Sequence, residues 1–380
     1  MTTREQGPDA LRALRAQLDE VDTRLVELAA RRQQLVSEIG RCKQVDGRQL
    51  RDFRREREVI DRIRVHAGRV ALDPVVAEDL FKRLIEASLT RQEQERIRLA
   101  GRGEGRHALV IGGGGRMGRW LAGFLDTQGY HAMVADPAID DNGRDMFRDW
   151  RSAPLDAGVI AIAAPPAQTA RVIDELAKRR VPGLVFDIAS LKTPLIDSLQ
   201  QAAAAGLRVC SLHPMFGPDT RLLSDQHVLV MDVGCGEAVD EATALFADTM
   251  AQVVRIDLDE HDRLMAPVLG LSHALNIAFF TALANSGIDS GDLAAVSSTT
   301  FRRQLEVALD VAGESPALYY EIQRLNRHGA AIRAALGEAI QALSDCVDRD
   351  DADGFAGLMR AGRRYLDRLG ATRSARPDSA

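Results

Sequence analysis

The most informative segment of this 380-residue chain is Leu109-Val-Ile-Gly-Gly-Gly-Gly-Arg-Met-Gly118, which indicates the architecture of its larger part. Its glycines at 113, 115 and 118 have the spacing of a dinucleotide-binding turn, which needs a tight bend, room for a pyrophosphate and close helix packing. A buried strand is predicted before the turn and a helix after it, so the helix N-terminus would face the phosphates. The cofactor-binding candidates are Gly113, Gly115, Arg116, Met117, Gly118 and Asp136.

Asp136 ends the second predicted strand, about 20 residues after the glycine turn, where an acid binds the hydroxyls of the adenosine ribose. Its carboxylate would repel a 2′-phosphate, so NAD is predicted in preference to NADP. Arg144 and Arg148 lie nearby and keep NADP open.

Apolar runs alternate with amphipathic segments through this half of the chain, which predicts βαβ units and a mainly parallel sheet. The predicted strands are 107–112, 132–135, 159–163, 184–187, 209–212 and 228–231. After residue 257 only helical patterns follow, and Pro267 and Gly270 are expected to disturb one of those helices. The expected segments are an all-helical domain over 1–100, a Gly-rich linker over 101–105, an α/β Rossmann-type domain over 106–257, an all-helical domain over 258–370 and a disordered tail over 371–380.

The first hundred residues have the apolar spacing of long packed helices. Leucine, valine and isoleucine recur every three or four positions from Leu11 to Ile39, without a proline. A helix over 11–43 would be about 50 Å long, too long to bury its own apolar face, so a second copy of the chain is expected to cover it. Further helices are predicted over 52–66 and, capped by Asp73-Pro74, over 73–98.

Composition narrows the function. The chain is 46% hydrophobic and 27% charged, without an apolar run of about 18 residues or a signal-peptide pattern, so no membrane span is expected. The four cysteines form no CxxC pair, which argues against a metal site or disulfides and for a cytoplasmic protein. Aromatic residues make up only 4%, which disfavours nucleic-acid stacking. Residues 1–100 carry a net +3, which fits a DNA-binding arm, a pocket for a small polyanion or a solvated surface.

Polar residues interrupt the apolar stripes of the first helices where burial should be greatest. Arg32 takes a seam position between Leu28 and Leu35, and Lys43 continues the same stripe. On the third helix the stripe turns polar at Ser88 and Gln92. Arg32 alone is most simply a seam arginine that reaches solvent, whereas the joint pattern predicts a site for an anion, because buried charge needs a partner.

These positions resemble the all-helical chorismate mutase family across residues 11–92. The matching stretches include Arg31-Arg32, Ile39-Gly-Arg-Cys-Lys43, Arg51-Asp52, Arg55-Glu56 and Glu86-Ala-Ser88. The resemblance implies that Arg32, Arg55 and Arg15 of a partner copy hold the carboxylates of chorismate, with help from Ser88. It implies that the catalytic residues Lys43 and Gln92 flank the breaking ether oxygen. It places Asp52 and the catalytic Glu56 at the ring hydroxyl.

His213 lies in a Pro/Gly-rich stretch at the end of a predicted strand, a setting suited to a general base. The motif His213-Pro-Met-Phe-Gly-Pro218 resembles the prephenate dehydrogenase family, and the match covers about 106–365. That resemblance implies oxidative decarboxylation of prephenate to 4-hydroxyphenylpyruvate, with His213 as the catalytic base. The implied substrate-binding residues are Ser190, Lys192, His273 and Arg302.

The order of the two halves resembles the T-protein family of tyrosine biosynthesis, whose members are bifunctional. The resemblance implies a homodimer, the substrates chorismate and prephenate, and tyrosine as a feedback inhibitor. Three alternatives stay open. The dehydrogenase could act on arogenate or an amino analogue of prephenate. The helical half could be a non-catalytic sensor of an aromatic ligand, or a dimerisation module only.

Overall fold

The computed structural model describes residues 6–45, 51–138 and 144–375. These residues form two compact units. One runs to Ala189 and resumes over Asp197–Ile256, and the other comprises Ser190–Ile196 and the chain from Asp257 onward. The expected fold class is confirmed: a helical segment is followed by an α/β sheet and then by a helical segment.

The first unit opens with the three predicted helices, α1 (Gln6–Val45), α2 (Phe53–Arg69) and α3 (Pro74–Ala100). Three of their boundaries have a local cause. Asp52 caps α2 by accepting from the Arg55 N–H at 2.9 Å, and Asp73 caps α3 by accepting from the Val75 N–H at 2.8 Å. Gly101 ends α3 in the left-handed conformation, at φ +55°.

The apolar row of α1 is largely exposed within one chain. Leu14 is 62% exposed, Leu28 66% and Ile39 52%, although all belong to the predicted seam. α1 packs on α3 through its carboxyl-terminal half, where Ser37 and Gly40 are buried. The second copy expected to cover the remaining row stays a prediction.

Residues 101–105, expected to be a linker, form a hydrogen-bonded turn inside the first unit. The Gly103 N–H donates to the Gln128 carbonyl at 2.8 Å, and the Gly105 N–H donates to the Gly129 carbonyl at 2.9 Å. A Cβ at Gly103 would lie 2.2 Å from the Tyr130 nitrogen, so only glycine fits. Ile97 of α3 joins the hydrophobic core of the sheet. The turn and Ile97 therefore pack the first helices against the sheet that follows in the chain. The domain limits given above stay predictions.

The described residues of the first unit also form an eight-stranded sheet in the order β3-β2-β1-β4-β5-β6-β7-β8. Strands β2, β1, β4, β5 and β6 are parallel neighbours and β7 is antiparallel to β6, which confirms the mainly parallel sheet. The strands are β1 (His107–Ile111), β2 (His131–Ala135), β3 (Met146–Phe147), β4 (Val159–Ile162), β5 (Leu184–Asp187), β6 (Val209–Pro214), β7 (His227–Asp232) and β8 (Gln252–Asp257). The helices between them are α4 (Arg116–Thr127), α5 (Pro166–Arg179), α6 (Ile196–Ala204) and α7 (Gly236–Ala244).

Three details of the sheet differ from expectation. The strands β3 and β8 were not predicted, because β3 has two residues and β8 is partly exposed, without a continuous buried run. The predicted strand 209–212 extends to Pro214, so His213 lies within β6 and not just past its end. Its backbone pairs with Leu229 of β7, which keeps the strand regular.

The second unit is helical after the segment Ser190–Ile196. Its helices are α8 (Leu258–Met265), α9 (Ser272–Asn285), α10 (Ser290–Ala295), α11 (Thr299–Ala312), α12 (Pro316–Leu325), α13 (Gly329–Asp348) and α14 (Ala352–Ala375). α14 continues to Ala375, within the segment expected to be a disordered tail, and that expectation stays a prediction. Residues 376–380 lie outside the described residues.

A wide π-helical turn, Ala266–Leu271, joins α8 to α9 at the predicted disturbance. Pro267 removes a backbone donor there, and the Gly270 carbonyl accepts from the Gln323 side chain at 2.8 Å. Among the described residues, the helical stretch Leu258–Asn285 is long and apolar enough to cross a membrane. A helix packed in a soluble domain meets the same test, so this is weak evidence.

Candidate active sites

The first candidate site lies between α1 and α3, where the two stripes turn polar. The Arg32 guanidinium donates to the Ser88 hydroxyl and to the Leu84 carbonyl, both at 3.0 Å. Gln92 donates from Nε2 to the Val36 carbonyl at 2.6 Å. Burial lowers the pKa of Arg32, which nevertheless stays charged at neutral pH. The structure therefore brings together Arg32, Ser88 and Gln92 as one polar cluster.

Gly40 makes the approach of Gln92 possible. A Cβ at this position would lie 2.8 Å from Gln92 Nε2, so a larger residue would push the amide away from α1. Ser88 and Gln92 are both nearly buried. Lys43 is half-buried three residues beyond Gly40. Arg15 is exposed and lies about 25 Å along α1 from Arg32 at 1.5 Å per residue, so one chain does not bring these two residues together.

The start of α2 carries the remaining candidates of the helical segment. Asp52 is the helix cap, and the exposed Arg55 pairs with Glu58 at 3.2 Å. Glu56 accepts a two-pronged contact from Arg51, with nitrogen–oxygen distances of 3.1 and 3.3 Å. Arg51 was not predicted to have a role of its own. In the sequence, its place beside Asp52 was the only feature that pointed to it.

The glycine turn between β1 and α4 has the geometry of a phosphate cradle. Added Cβ atoms at Gly113 and Gly118 would lie 2.4 Å from Val134 Cγ1 and 2.3 Å from the Gly112 carbonyl oxygen. Gly115 caps α4 with no side-chain hydrogen bond to its first turn. Because the first N–H groups of a helix lack helical acceptors, they can receive an anion here.

Asp136 follows β2 and borders this turn. Its carboxylate accepts from the Gly114 N–H at 3.1 Å and from the Ala138 N–H at 2.9 Å. Arg116 turns its side chain to Asp219 at 2.6 Å, and Met117 packs against the hydrophobic core. Their backbone N–H groups belong to the first turn of α4. Asp136 and the glycines are brought together as predicted.

His213 lies near the carboxyl end of β6, at the same edge of the parallel strands as the glycine turn. It is nearly buried. On the neighbouring strand, the buried Asp187 accepts from the Ser211 hydroxyl at 2.5 Å and from the Ala189 N–H at 2.9 Å. Ligands of open α/β sheets bind at this edge, so the placement of His213 suits a base beside a bound nucleotide.

Ser190 and Lys192 belong to the second unit, where Asp262 fixes their segment. The Asp262 carboxylate accepts from the Lys192 N–H at 2.9 Å, from the Thr193 N–H at 2.7 Å and from the His261 ring at 2.7 Å. Burial alone would raise the pKa of Asp262. The hydrogen bonds from His261, Thr193 and Lys192 stabilise the carboxylate more strongly, so its pKa lies well below its usual range. Asp262 was not among the predicted site residues.

His273 and Arg302 also lie in the second unit. The His273 ring stacks on Tyr319 at a centroid distance of 4.2 Å, and burial lowers its pKa, so the imidazole is neutral at pH 7. Among the described residues, the buried Nδ1 of His273 has no hydrogen-bond partner, as expected for a ligand-binding nitrogen. Arg302 is exposed in the first turn of α11. A four-residue contact, Phe279–Phe301 and Asn276–Gln304, packs α9 on α11.

No group of three or more His, Cys, Asp or Glu residues within 6–45, 51–138 and 144–375 is arranged to hold a metal ion. A doubly wound sheet with a glycine turn after β1, an acid after β2 and a histidine near the end of β6 is the arrangement of a nucleotide-dependent dehydrogenase. Here it is preceded by a helical segment with its own polar cluster.

Comparison with known proteins agrees with both halves. Residues 14–93 match the model of chorismate mutase type II, residues 129–255 that of the prephenate dehydrogenase nucleotide-binding domain and residues 257–361 that of the prephenate dehydrogenase dimerization domain. The T-protein of Enterobacter agglomerans is 31% identical over 319 residues, which cover 82% of this chain and 81% of that protein. The chain belongs to the T-protein family, which joins a chorismate mutase domain to a prephenate dehydrogenase domain.

Two further relatives frame this assignment. The 4-amino-4-deoxyprephenate dehydrogenase of Streptomyces pristinaespiralis is 30% identical over 274 residues, which cover 69% of this chain and 92% of that protein. The crystal structure of prephenate dehydrogenase from Aquifex aeolicus in complex with hydroxyphenyl propionate and NAD+ aligns with a TM-score of 0.55 and 16% identity, over 71% of this chain and 97% of that one. At this identity the structure supports the fold alone.

Proposed function

We propose that this chain catalyses two consecutive reactions, the rearrangement of chorismate to prephenate and the oxidative decarboxylation of prephenate to 4-hydroxyphenylpyruvate. The observation that carries the proposal is that a mutase domain and a dehydrogenase domain share one chain, and the product of the first reaction is the substrate of the second. The polar cluster on α1 and α3 and the glycine turn after β1 support it independently.

The rearrangement needs no nucleophile and no proton transfer, so the helical site acts by orientation and charge. Arg32, Arg55 and a partner's Arg15 hold the two carboxylates, with the hydroxyl of Ser88 beside one of them. Lys43 and Gln92 donate to the ether oxygen as it gains negative charge. An amide nitrogen carries two hydrogens, so Gln92 can make this bond while it donates to Val36.

Asp52 and Glu56 accept from the ring hydroxyl and fix the ring in the folded conformation. This role is consistent with their place at the start of α2, beside the Arg51 fork.

NAD would supply the hydride acceptor for the second reaction. Gly113, Gly115 and Gly118 admit a pyrophosphate, the backbone of Arg116 and Met117 contributes first-turn N–H groups, and Asp136 accepts from the ribose hydroxyls. His213 draws the proton from the substrate hydroxyl as a carbonyl forms, and the ring carboxylate leaves as CO2 because the ring becomes aromatic.

Ser190, Lys192, His273 and Arg302 bind prephenate in this scheme. Lysine and arginine suit its carboxylates, and the neutral His273 ring offers a polar atom without added charge.

NAD in preference to NADP is supported by the arginines near Asp136. Arg144 is engaged by Asp126, at 3.0 and 2.6 Å from its two donor nitrogens, and the exposed Arg148 donates to the Pro137 carbonyl at 3.2 Å. Arg144 is therefore paired with an acid while Arg148 keeps its charge, and the preference for NAD rests on the Asp136 carboxylate.

The homodimer, tyrosine inhibition and cytoplasmic location belong to the same proposal. The exposed apolar row of α1 and the match to a dimerization domain support a dimer. Tyrosine resembles the product of the second reaction, and rising tyrosine is expected to lower the dehydrogenase rate. An unchanged rate would contradict feedback inhibition. The location follows from the tyrosine pathway and from the four free thiols.

The proposal is tested with purified protein, NAD and chorismate, with no prephenate added, by following NADH formation. NADH is expected, because the first half would supply the substrate of the second. If NADH forms only after prephenate is added, the helical half is a sensor or a dimerisation module. If prephenate also fails, arogenate and 4-amino-4-deoxyprephenate are supplied in turn, and activity with either would replace the proposed substrate.

A further inference from the structure

A turn that belongs to the nucleotide-binding sheet is held by two side chains of the helical segment. The turn, Leu223–Asp225, precedes β7, and it is contacted by Arg51 before α2 and by Glu93 on α3. Both contacts lie within the first compact unit. Neither Arg51 nor Glu93 has a role in the mechanism above.

Arg51 connects the turn to the proposed mutase site. Its Nη1 donates to the Ser224 hydroxyl and to the Asp225 carboxylate, while Nε and Nη2 donate to the two oxygens of Glu56 at 3.1 and 3.3 Å. Its guanidinium carbon lies 4.2 Å from the centre of the Phe53 ring. A planar guanidinium with contacts on two edges and one face has a single orientation, so the turn determines where Arg51 presents its fork.

Glu93 fixes the same turn from the other side. It is 1% exposed, and its carboxylate accepts from the Leu223 N–H at 2.9 Å and from the Met250 N–H at 2.5 Å. Two main-chain donors from separate segments meet one carboxylate, so the turn cannot shift without breaking a buried charge-assisted bond. Glu93 also directly follows Gln92 on α3.

The backbone of the turn is specialised for this contact. Asp225 has φ +64°, a left-handed conformation that is uncommon outside glycine and is best tolerated by aspartate and asparagine. An aspartate therefore provides both the conformation and the charge that faces Arg51. Ser224 beside it is nearly buried.

We propose that Arg51, anchored by the Leu223–Asp225 turn, is a positioning residue for Glu56 in the mutase reaction. The inference rests on the proposed function, because it takes Glu56 as the group that accepts from the ring hydroxyl of chorismate. A carboxylate has lone pairs for both contacts, so Glu56 can keep the Arg51 fork while it binds that hydroxyl. The nucleotide-binding sheet thus orients a side chain of the other active site.

The test uses the full chain with Asp225→Asn, Arg51→Lys and Arg51→Met. Asparagine keeps the left-handed turn but weakens the anchor, lysine keeps the charge but loses the fork, and methionine loses both. We expect KM for chorismate to rise by about ten-fold in Arg51→Met and by less in the other two variants. A ten-fold rise in KM corresponds to the loss of about one charge-assisted hydrogen bond to the substrate. Prephenate oxidation serves as the check that the protein is intact.

A chorismate analogue without the ring hydroxyl gives the decisive readout. The variants and the parent are expected to turn it over with the same KM, because Glu56 then has nothing to bind. Lys82→Gln, which removes an exposed ion pair with Glu78 on α3, is the matched control. It should change KM for neither chorismate nor the analogue.

Glu56→Gln separates the two levels of the argument. If this variant keeps the parental KM for chorismate, the assignment of Glu56 in the proposed function is wrong. If Glu56→Gln raises KM but the Arg51 and Asp225 variants do not, the positioning role is wrong. A fall in kcat at constant KM, equal for chorismate and the analogue, would mean a merely structural role and would also overturn the inference.

Discussion

The Arg32 guanidinium donates to the Ser88 hydroxyl at 3.0 Å, between helices whose contacting residues are 56 positions apart in sequence. Ser88 in turn donates its hydroxyl hydrogen to the Leu84 carbonyl at 2.7 Å. The hydroxyl is thus fully oriented before any ligand binds, and Arg32 is held with its donors towards α3. A guanidinium held in this way loses little order when a carboxylate arrives, whereas Ser88, with one hydroxyl hydrogen, must exchange its bond to Leu84 before it donates to a ligand.

Replacing Arg32 by leucine is expected to remove the mutase activity and spare the dehydrogenase. The loss of one carboxylate fork should lower kcat/KM for chorismate by about 10²–10³, whereas prephenate oxidation should keep its parental rate. The free energy of unfolding should not fall, because an apolar side chain fits the seam. Arg31→Leu is the control, since Arg31 is exposed and its side chain donates to its helical neighbour Gln34 at 3.3 Å. Equal mutase losses in both variants would contradict the assignment.

The variant His213→Asn tests the proposed base. Asparagine retains polarity but cannot take a proton at neutral pH, so the rate of prephenate oxidation should fall by about 10²–10⁴. Formation of prephenate from chorismate should be unchanged. His131→Asn, at the exposed start of β2, is expected to leave both activities intact. A dehydrogenase that kept its rate in His213→Asn would need another base.

The glycine turn is tested by two alanine substitutions on one helix. At Gly118 a Cβ would lie 2.3 Å from the Gly112 carbonyl oxygen, whereas at Gly123 nothing lies within 4 Å. Overpacking costs about 1–3 kcal/mol, so Gly118→Ala should weaken NAD binding by about ten-fold or more. Gly123→Ala should bind NAD normally. Calorimetric titration of each variant with NAD gives the two affinities. Equal affinities would contradict the assignment of the glycine turn as the NAD phosphate site.

Asp136 is expected to set the choice of nucleotide. Asp136→Asn removes the negative charge that opposes a 2′-phosphate and weakens the bonds to the ribose and to the Gly114 N–H. The ratio of kcat/KM with NAD to that with NADP should therefore fall by about ten-fold or more. Steady-state rates with both nucleotides give the ratio. Asp149→Asn, which changes an exposed aspartate, is the control and should keep the parental ratio. An unchanged ratio in Asp136→Asn would mean that another residue discriminates between NAD and NADP.

Asp262 predicts a pH dependence of stability. Because its pKa is lowered in the folded state, its contribution is present above the unfolded pKa of about 3.9 and is lost as pH falls below that value. Asp262→Asn should lower the free energy of unfolding by about 1.5–3 kcal/mol at neutral pH, because the hydrogen bonds from Lys192, Thr193 and His261 lose their charged acceptor. Its stability should also decline less steeply in acid. Denaturant titrations at neutral and acidic pH measure both effects, and parallel slopes would contradict the prediction.

The periodic elements were predictable because local patterns determine them. The first helix follows from its apolar spacing and the third from the cap at Asp73, and the strands that were predicted are continuous buried runs. The cluster of Arg32, Ser88 and Gln92 was predictable because polar residues interrupted two stripes. The glycine turn was predictable because its spacing has a steric cause.

Other features depended on distant contacts, which leave little trace in a single sequence. Glu93 looks like any helical glutamate until Leu223 and Met250 meet its carboxylate. Asp262 stabilises a segment some 70 residues away, and nothing local marks it. The roles of the site residues themselves remain predictions that the variants above address.

The turn at 101–105 has a consequence for how the two catalysts can be inherited. Ile97 is buried in the core of the sheet, and Glu93 is closed over by main-chain donors from the same segment. If the gene were split at this turn, the helical product would expose Ile97 and the Glu93 carboxylate to solvent. The other product would have a cavity in its hydrophobic core where Ile97 packs. Recombination can therefore exchange this mutase between proteins only if the recipient offers a matching surface for Ile97 and Glu93.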